Sequence, residues 1–185
     1  MLWIGWVVLM VSWVVWGYPF IFRAPHNQKR PSITAIGPTR VGLFLECLGI
    51  VIAFASSLRH DVAPADWRIL ASMLCGPVAG LLSWGAVRHL GRQFRVHAGL
   101  YEDHQLVTTG PYGIVRHPIY SSLLAILVST LLLTTPWQWA VLSLALFIAG
   151  TEIRVYTEDR LLASRFGARF FDYRKRVWAY VPYLR

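Results

Sequence analysis

Residues 119–153 read IYSSLLAILVSTLLLTTPWQWAVLSLALFIAGTEI, two apolar runs divided by TTPWQ. Pro136 cannot continue a helix, and its polar neighbours can meet water. The pair therefore reads as a tight antiparallel helical hairpin, Ile119–Thr134 followed by Trp137 to about Ile153. Both runs are on the short side of the roughly 20 apolar residues that cross a hydrocarbon core. Upstream, three more runs of that kind occur: Leu2–Phe22, Thr39–Leu58 and Ile69–Val87.

Composition agrees with this reading. Of 185 residues, 56% are hydrophobic and only 15% charged, against about one quarter charged in soluble domains. The expected fold is all-α: a polytopic membrane protein with about five transmembrane helices, the last two a hairpin, and one domain over 1–185. The first run has no basic residue before it and no small-x-small cleavage site, so it reads as a retained helix. Trp3 and Trp6 at one end and Trp16 and Tyr18 at the other suit interfacial belts.

The net charge of +9 is distributed by side rather than as a nucleic-acid patch. One face receives Arg23, Lys29, Arg30 and Arg40, then Arg88, Arg92, Arg95 and Arg116, then eight more from Arg154 to Arg185. The other keeps Arg59 and Arg68. The positive-inside rule places the N-terminus outside and the C-terminus in the cytoplasm, with the basic surface beside anionic lipid of the cell membrane. Nucleic acid is not needed to explain the charge.

Within the spans, Cys47 and Cys75 have no CxxC partner and read as small buried apolar side chains. GPVAG at 76–80 reads as close helix packing. Glu46, near the middle of the second run, leaves two readings open. It is a functional carboxylate, or a protonated one hydrogen-bonded inside the bundle.

Most of the unusual side chains lie at 88–117 and 154–185. Pro118 suits the first position of a helix. The preceding Gly110-Pro111-Tyr112-Gly113 turns the backbone sharply. Arg116 reads equally as a site residue or as a lipid-phosphate anchor, and His117 as a site residue or a helix cap. Arg154 and Glu158 share a helix face where the last run emerges, either as a surface ion pair or as a cation and a carboxylate for ligands. Leu162, Phe166, Phe170, Tyr173 and Val177 recur at three or four, describing a C-terminal amphipathic cytoplasmic helix lying on the membrane or against the preceding loop. His89, His97, His104 and His117 are not paired at ligand spacing, so no metal site is expected, and no Gly-rich nucleotide loop occurs.

HQLVTTGPYGIVRHPIY at 104–120 and RVYTEDRLLASRFGARFFDYRKRVWAYVP at 154–182 together resemble the isoprenylcysteine carboxyl methyltransferase family of integral membrane enzymes. The likeness covers roughly the C-terminal half and is specific in order and spacing. It implies an S-adenosyl-L-methionine pocket built from segments 97–120 and 154–182. His104, Gln105, Leu106, Val107, Tyr112, His117, Pro118, Ile119, Tyr120 and Glu158 would contact this cofactor. Arg154 would face the methyl acceptor, so that Arg154 and Glu158 would carry catalysis. A further cofactor contact, a glutamine in animal members, corresponds to His97.

The implied acceptor is lipophilic or prenylated, entering from membrane lipid. Methyl transfer from a sulfonium to a carboxylate neutralises opposite charges, so alignment and desolvation suffice without a general base. A positive Arg154 would favour a carboxylate over an ammonium. Phospholipid N-methylation, a sterol-reductase-like nicotinamide enzyme and a non-enzymatic membrane subunit are the competing readings.

Overall fold

A computed structural model describes residues 1–22, 33–34, 36–59, 63–91, 99–100 and 105–184. The helices are α1 (Leu2–Phe22), α2 (Ile36–Arg59), α3 (Asp66–Leu90), α4 (Pro118–Thr134), α5 (Trp137–Phe166) and α6 (Ala168–Arg176). Two short strands, β1 (Ile33–Thr34) and β2 (Gly99–Leu100), pair antiparallel. Among the described residues four helices, α1, α2, α3 and α5, are long and apolar enough to cross a membrane, and α4 is a shorter apolar helix of 17 residues. Apart from the two-residue strand pair, the helical, multi-pass architecture expected from the apolar runs is what the chain forms.

Two boundaries differ instructively from the sequence reading. The last apolar run ends near Ile153, but α5 continues unbroken to Phe166, because no proline or glycine intervenes before Gly167. At 30 residues it is about 45 Å long, enough to carry its last turns beyond the hydrocarbon. Gly167 then adopts φ +51, a left-handed conformation that glycine tolerates, and α6 begins anew. The amphipathic segment is thus broken rather than one continuous helix.

The hairpin turn is as tight as TTPWQ suggests, with Thr135 and Pro136 alone between α4 and α5. Yet α5 lies closest to α2, and α4 to α3. Small residues explain this choice. A Cβ on Gly150 would stand 2.4 Å from the carbonyl oxygen of Gly42, and one on Gly49 would stand 2.6 Å from that of Ser143. Only glycine lets these backbones approach so closely, as in other membrane helix pairs. Gly76 of GPVAG plays the expected packing role, since a Cβ there would meet Ser12 Oγ at 2.5 Å.

Polar groups inside the bundle bond across helices, as hydrocarbon requires. Ser72 and Ser129 donate to each other's carbonyl oxygens at 2.8 Å. Trp13 donates to Thr130 at 3.0 Å and Trp16 to Ser122 at 3.1 Å, so Trp16 ties α1 to α4 as well as marking the helix end. Arg68 Nη2 reaches the Leu131 and Thr135 carbonyls at 3.0 and 2.7 Å, satisfying the end of α4. Ala53, Leu127, Leu131 and Phe147 form the central apolar core. Outward-facing Val14, Leu74 and Leu81 are exposed, as suits a lipid-facing surface. Cys47 also lies on that outer surface, contrary to its expected burial, and Cys75 is half-buried.

Candidate functional site

The wall of the site begins at Gly110, whose φ of +61 starts a 3-10 turn over Gly110–Gly113. A side chain is excluded there twice, by backbone conformation and because a Cβ would stand 2.3 Å from His89 Nε2. His89 is itself tied by Nδ1 to the Gly85 carbonyl at 2.8 Å, and Pro111 seats against Gly85. The turn is thereby docked on α3. It buries the Tyr112 ring, and the backbone carbonyl of Tyr112 accepts a hydrogen bond from the Tyr173 hydroxyl at 2.5 Å. Burial pushes both phenols above the ordinary tyrosine range, so both stay protonated.

After α6 the chain returns and lies along the start of α4. Val115 pairs with Trp178 in a parallel bridge. The backbone N–H groups of Arg116 and His117 donate to the carbonyls of Trp178 and Ala179 at 2.7 and 2.8 Å. Ser121 donates to the Tyr180 carbonyl at 2.5 Å, and the Tyr180 hydroxyl to Glu152 at 2.6 Å. Tyr120 and Val155 pack against Ala179 and Tyr180 of this strap. The inner face of the C-terminal segment therefore builds the site, while Arg169, Arg174, Lys175 and Arg176 remain exposed.

A line of alternating charges crosses from α4 through α5 to α2. Arg116 pairs with Asp159 at 3.0 Å and also donates to the Val177 carbonyl at 2.5 Å. His117 lies between two carboxylates, Nε2 at 2.9 Å from Asp159 and Nδ1 at 3.2 Å from Glu158. Ionised carboxylates only accept hydrogen bonds, so both ring nitrogens donate and the ring is an imidazolium. Burial alone would favour the neutral ring, but hydrogen bonds and charge from Asp159 and Glu158 prevail and raise its pKa above the usual histidine value. The Tyr120 hydroxyl donates to the other oxygen of Glu158, and its ring lies 5.0 Å from the Arg154 guanidinium carbon. Arg154 Nη1 in turn donates to Glu46 Oε2 at 2.7 Å, and Thr151 to Glu46 Oε1 at 3.0 Å. Arg116, His117 and Arg154 thus face Asp159, Glu158 and Glu46, and formal charge balances.

Within this line, Glu158 is the accessible anion. Its side chain is 26% exposed, whereas that of Asp159 is 8% exposed. A carboxylate with each oxygen already holding a donor is fixed in orientation and still open to a cationic ligand group.

The folded chain brings His117, Tyr120, Arg154 and Glu158 together, with Pro118 buried at the first position of α4. Tyr112 is buried in the adjoining turn, Ile119 is half-buried, and Leu106 and Val107 are half-buried on the stretch leading in, with Gln105 exposed. His97 and His104 lie outside the described residues. The lipid-anchor reading of Arg116 is overturned, since its side chain is buried and held by Asp159 and the returning strap. His117 sits at the cap position of α4 but its side chain makes no cap bond, having turned to the two acids. Sequence reasoning missed Asp159, Glu152 and Tyr180 altogether, and did not identify Glu46 as the partner of Arg154.

Comparison with known proteins points the same way. Residues 72–164 match the model of the isoprenylcysteine carboxyl methyltransferase (ICMT) family. A probable protein-S-isoprenylcysteine O-methyltransferase of Oryza sativa subsp. indica is 33% identical over 191 aligned positions, covering 97% of this chain and 96% of that protein. Protein-S-isoprenylcysteine O-methyltransferase B of Arabidopsis thaliana is 34% identical over 76% of this chain and 70% of its own length. The cobalt-zinc-cadmium resistance protein CzcN of Cupriavidus metallidurans is 39% identical over 45% of this chain and 38% of its own length.

Proposed function

The chain belongs to the isoprenylcysteine carboxyl methyltransferase family, and from that premise we propose that it uses S-adenosyl-L-methionine to methylate the carboxylate of a lipophilic, prenyl-bearing acceptor. That it is a multi-pass membrane methyltransferase follows from the family and the apolar helices. The sidedness of its basic residues supports a cytoplasmic site in the cell membrane, with the N-terminus outside.

Glu158 carries the reading of the cofactor site. Tyr120 and His117 fix its carboxylate, and its partial exposure leaves it open to an ammonium or sulfonium. S-adenosyl-L-methionine, when bound, supplies a methyl group on a positively charged sulfur. Segment 104–107, Tyr112 and residues 117–120 would hold it alongside Glu158, within one domain spanning 1–185. Arg154, one helical turn deeper, would meet an acceptor arriving from the bilayer. Its charge is answered by Glu46, so preference for a carboxylate draws on the relatives' named reaction rather than on an isolated arginine. A carboxylate of ordinary pKa near 4 is already ionised at neutral pH, so no side chain need remove a proton.

In purified detergent-solubilised protein, S-adenosyl-L-methionine or its demethylated product will raise the melting temperature and NADPH will not. No shift at saturating concentration, or a shift with NADPH alone, overturns the proposal.

A further inference from the structure

Glu46 lies on α2, outside the 72–164 stretch matched by the family model, and is 2% exposed. Nothing in its local sequence gives it a role. In the folded chain both its oxygens are held by one turn of α5, Oε1 by Thr151 and Oε2 by Arg154. The approach of the helices leaves Arg154 little alternative. A Cβ on Gly42 would stand 2.5 Å from Arg154 Cγ and 2.7 Å from the Gly150 carbonyl oxygen. The arginine stem therefore fills the notch over Gly42 and ends at Glu46. Tyr120 covers the guanidinium from α4.

A buried arginine held in this way presents an ion pair, not a bare cation, to whatever approaches from the bilayer. The difference matters for a reaction that turns an anionic acid into an uncharged ester. A bare buried cation would bind the ground-state acid tightly, which lowers KM without accelerating transfer. On the reading of Arg154 as the acceptor-facing residue, we propose that Glu46 is a specificity-determining residue. By neutralising Arg154 it restrains the site's preference for an anionic acceptor over the uncharged analogue of the same shape.

Glu46→Gln tests this directly, because the amide oxygen can still accept from Arg154 while the charge is gone. The readouts are KM for an N-acetylated farnesylcysteine and the inhibition constant of its uncharged carboxamide. The variant will lower KM for the acid about tenfold, with the carboxamide constant and KM for S-adenosyl-L-methionine unchanged within about twofold. Acid and carboxamide constants that move in parallel, or neither moving, overturn the proposal and make Glu46 structural.

Should Glu46→Gln fail to fold, the Glu46→Gln/Arg154→Gln pair removes both charges. Its acid-to-carboxamide binding ratio will stay within about threefold of wild type. A collapse of that ratio shows Arg154 selecting charge despite Glu46, and overturns the proposal. A wild-type protein inactive towards the acid overturns instead the functional reading on which this rests, before any variant is made.

Discussion

Asp159 Oδ1 lies 2.9 Å from Nε2 of His117, and this contact, with Glu158 on the opposite ring nitrogen, keeps the imidazole charged. The groups facing the ring are Asp159 and Glu158 from α5, Tyr120 from α4 and, through Asp159, Arg116 and the more distant Arg174. A histidine whose folded pKa stands above its ordinary 6.5 stabilises the fold fully below about pH 6.5. That contribution is lost as pH rises through the folded value. The melting temperature in detergent will therefore decline as pH is raised above about 6.5, and His117→Gln will flatten the decline. Parallel curves for the two proteins would remove the imidazolium from the account.

Tyr173 joins α6 to the glycine turn through a single hydrogen bond to the Tyr112 carbonyl. Tyr173→Phe keeps the ring, which packs near Phe170, and deletes only the hydroxyl. The carbonyl is left buried without that donor, a loss of about 1–2 kcal/mol. We expect a melting temperature lower by several degrees and a rise in KM for S-adenosyl-L-methionine, because Tyr112 borders the cofactor segment. The control is Phe171→Ala on the outward face of α6, where the side chain is exposed and the turn is untouched.

The membrane spans were legible because an apolar run of sufficient length is a local property, and Pro136 marks its own break. The same local logic ended the last span at Ile153, where apolarity stops, although helix geometry needs only the absence of a breaker and runs on to Gly167. Glu158 was found because it lies four residues from Arg154. Asp159, one position on, is rotated by about 100° on the helix and faces Arg116 and His117 instead. Two adjacent basic residues at 116–117 and two adjacent acids at 158–159 were the available signal, readable once the hairpin is assumed. Arg154 and Glu46 are separated by 108 positions, and no spacing rule connects them. Arg116 stayed open between site residue and lipid anchor because its acceptors include the Val177 carbonyl, which arrives only after the chain turns at Gly167.

Arg154 and Glu158 stand one turn apart on α5 and should separate acceptor from cofactor. Glu158→Gln removes a charge that Tyr120 and His117 are oriented to hold, and a charge-assisted contact is worth about 1.5–3 kcal/mol. The dissociation constant for S-adenosyl-L-methionine will rise about ten- to hundredfold, with acceptor KM nearly unchanged. Arg154→Ala acts in the opposite sense. It leaves Glu46 as a buried anion without its guanidinium partner, which lowers stability by about 3–5 kcal/mol and repels an anionic acceptor. Acceptor KM will rise at least tenfold while cofactor affinity, read by calorimetry at a temperature where the variant is folded, stays within about threefold. Equal loss of acceptor and cofactor binding in Arg154→Ala would make that arginine a structural strut or a part of the cofactor site.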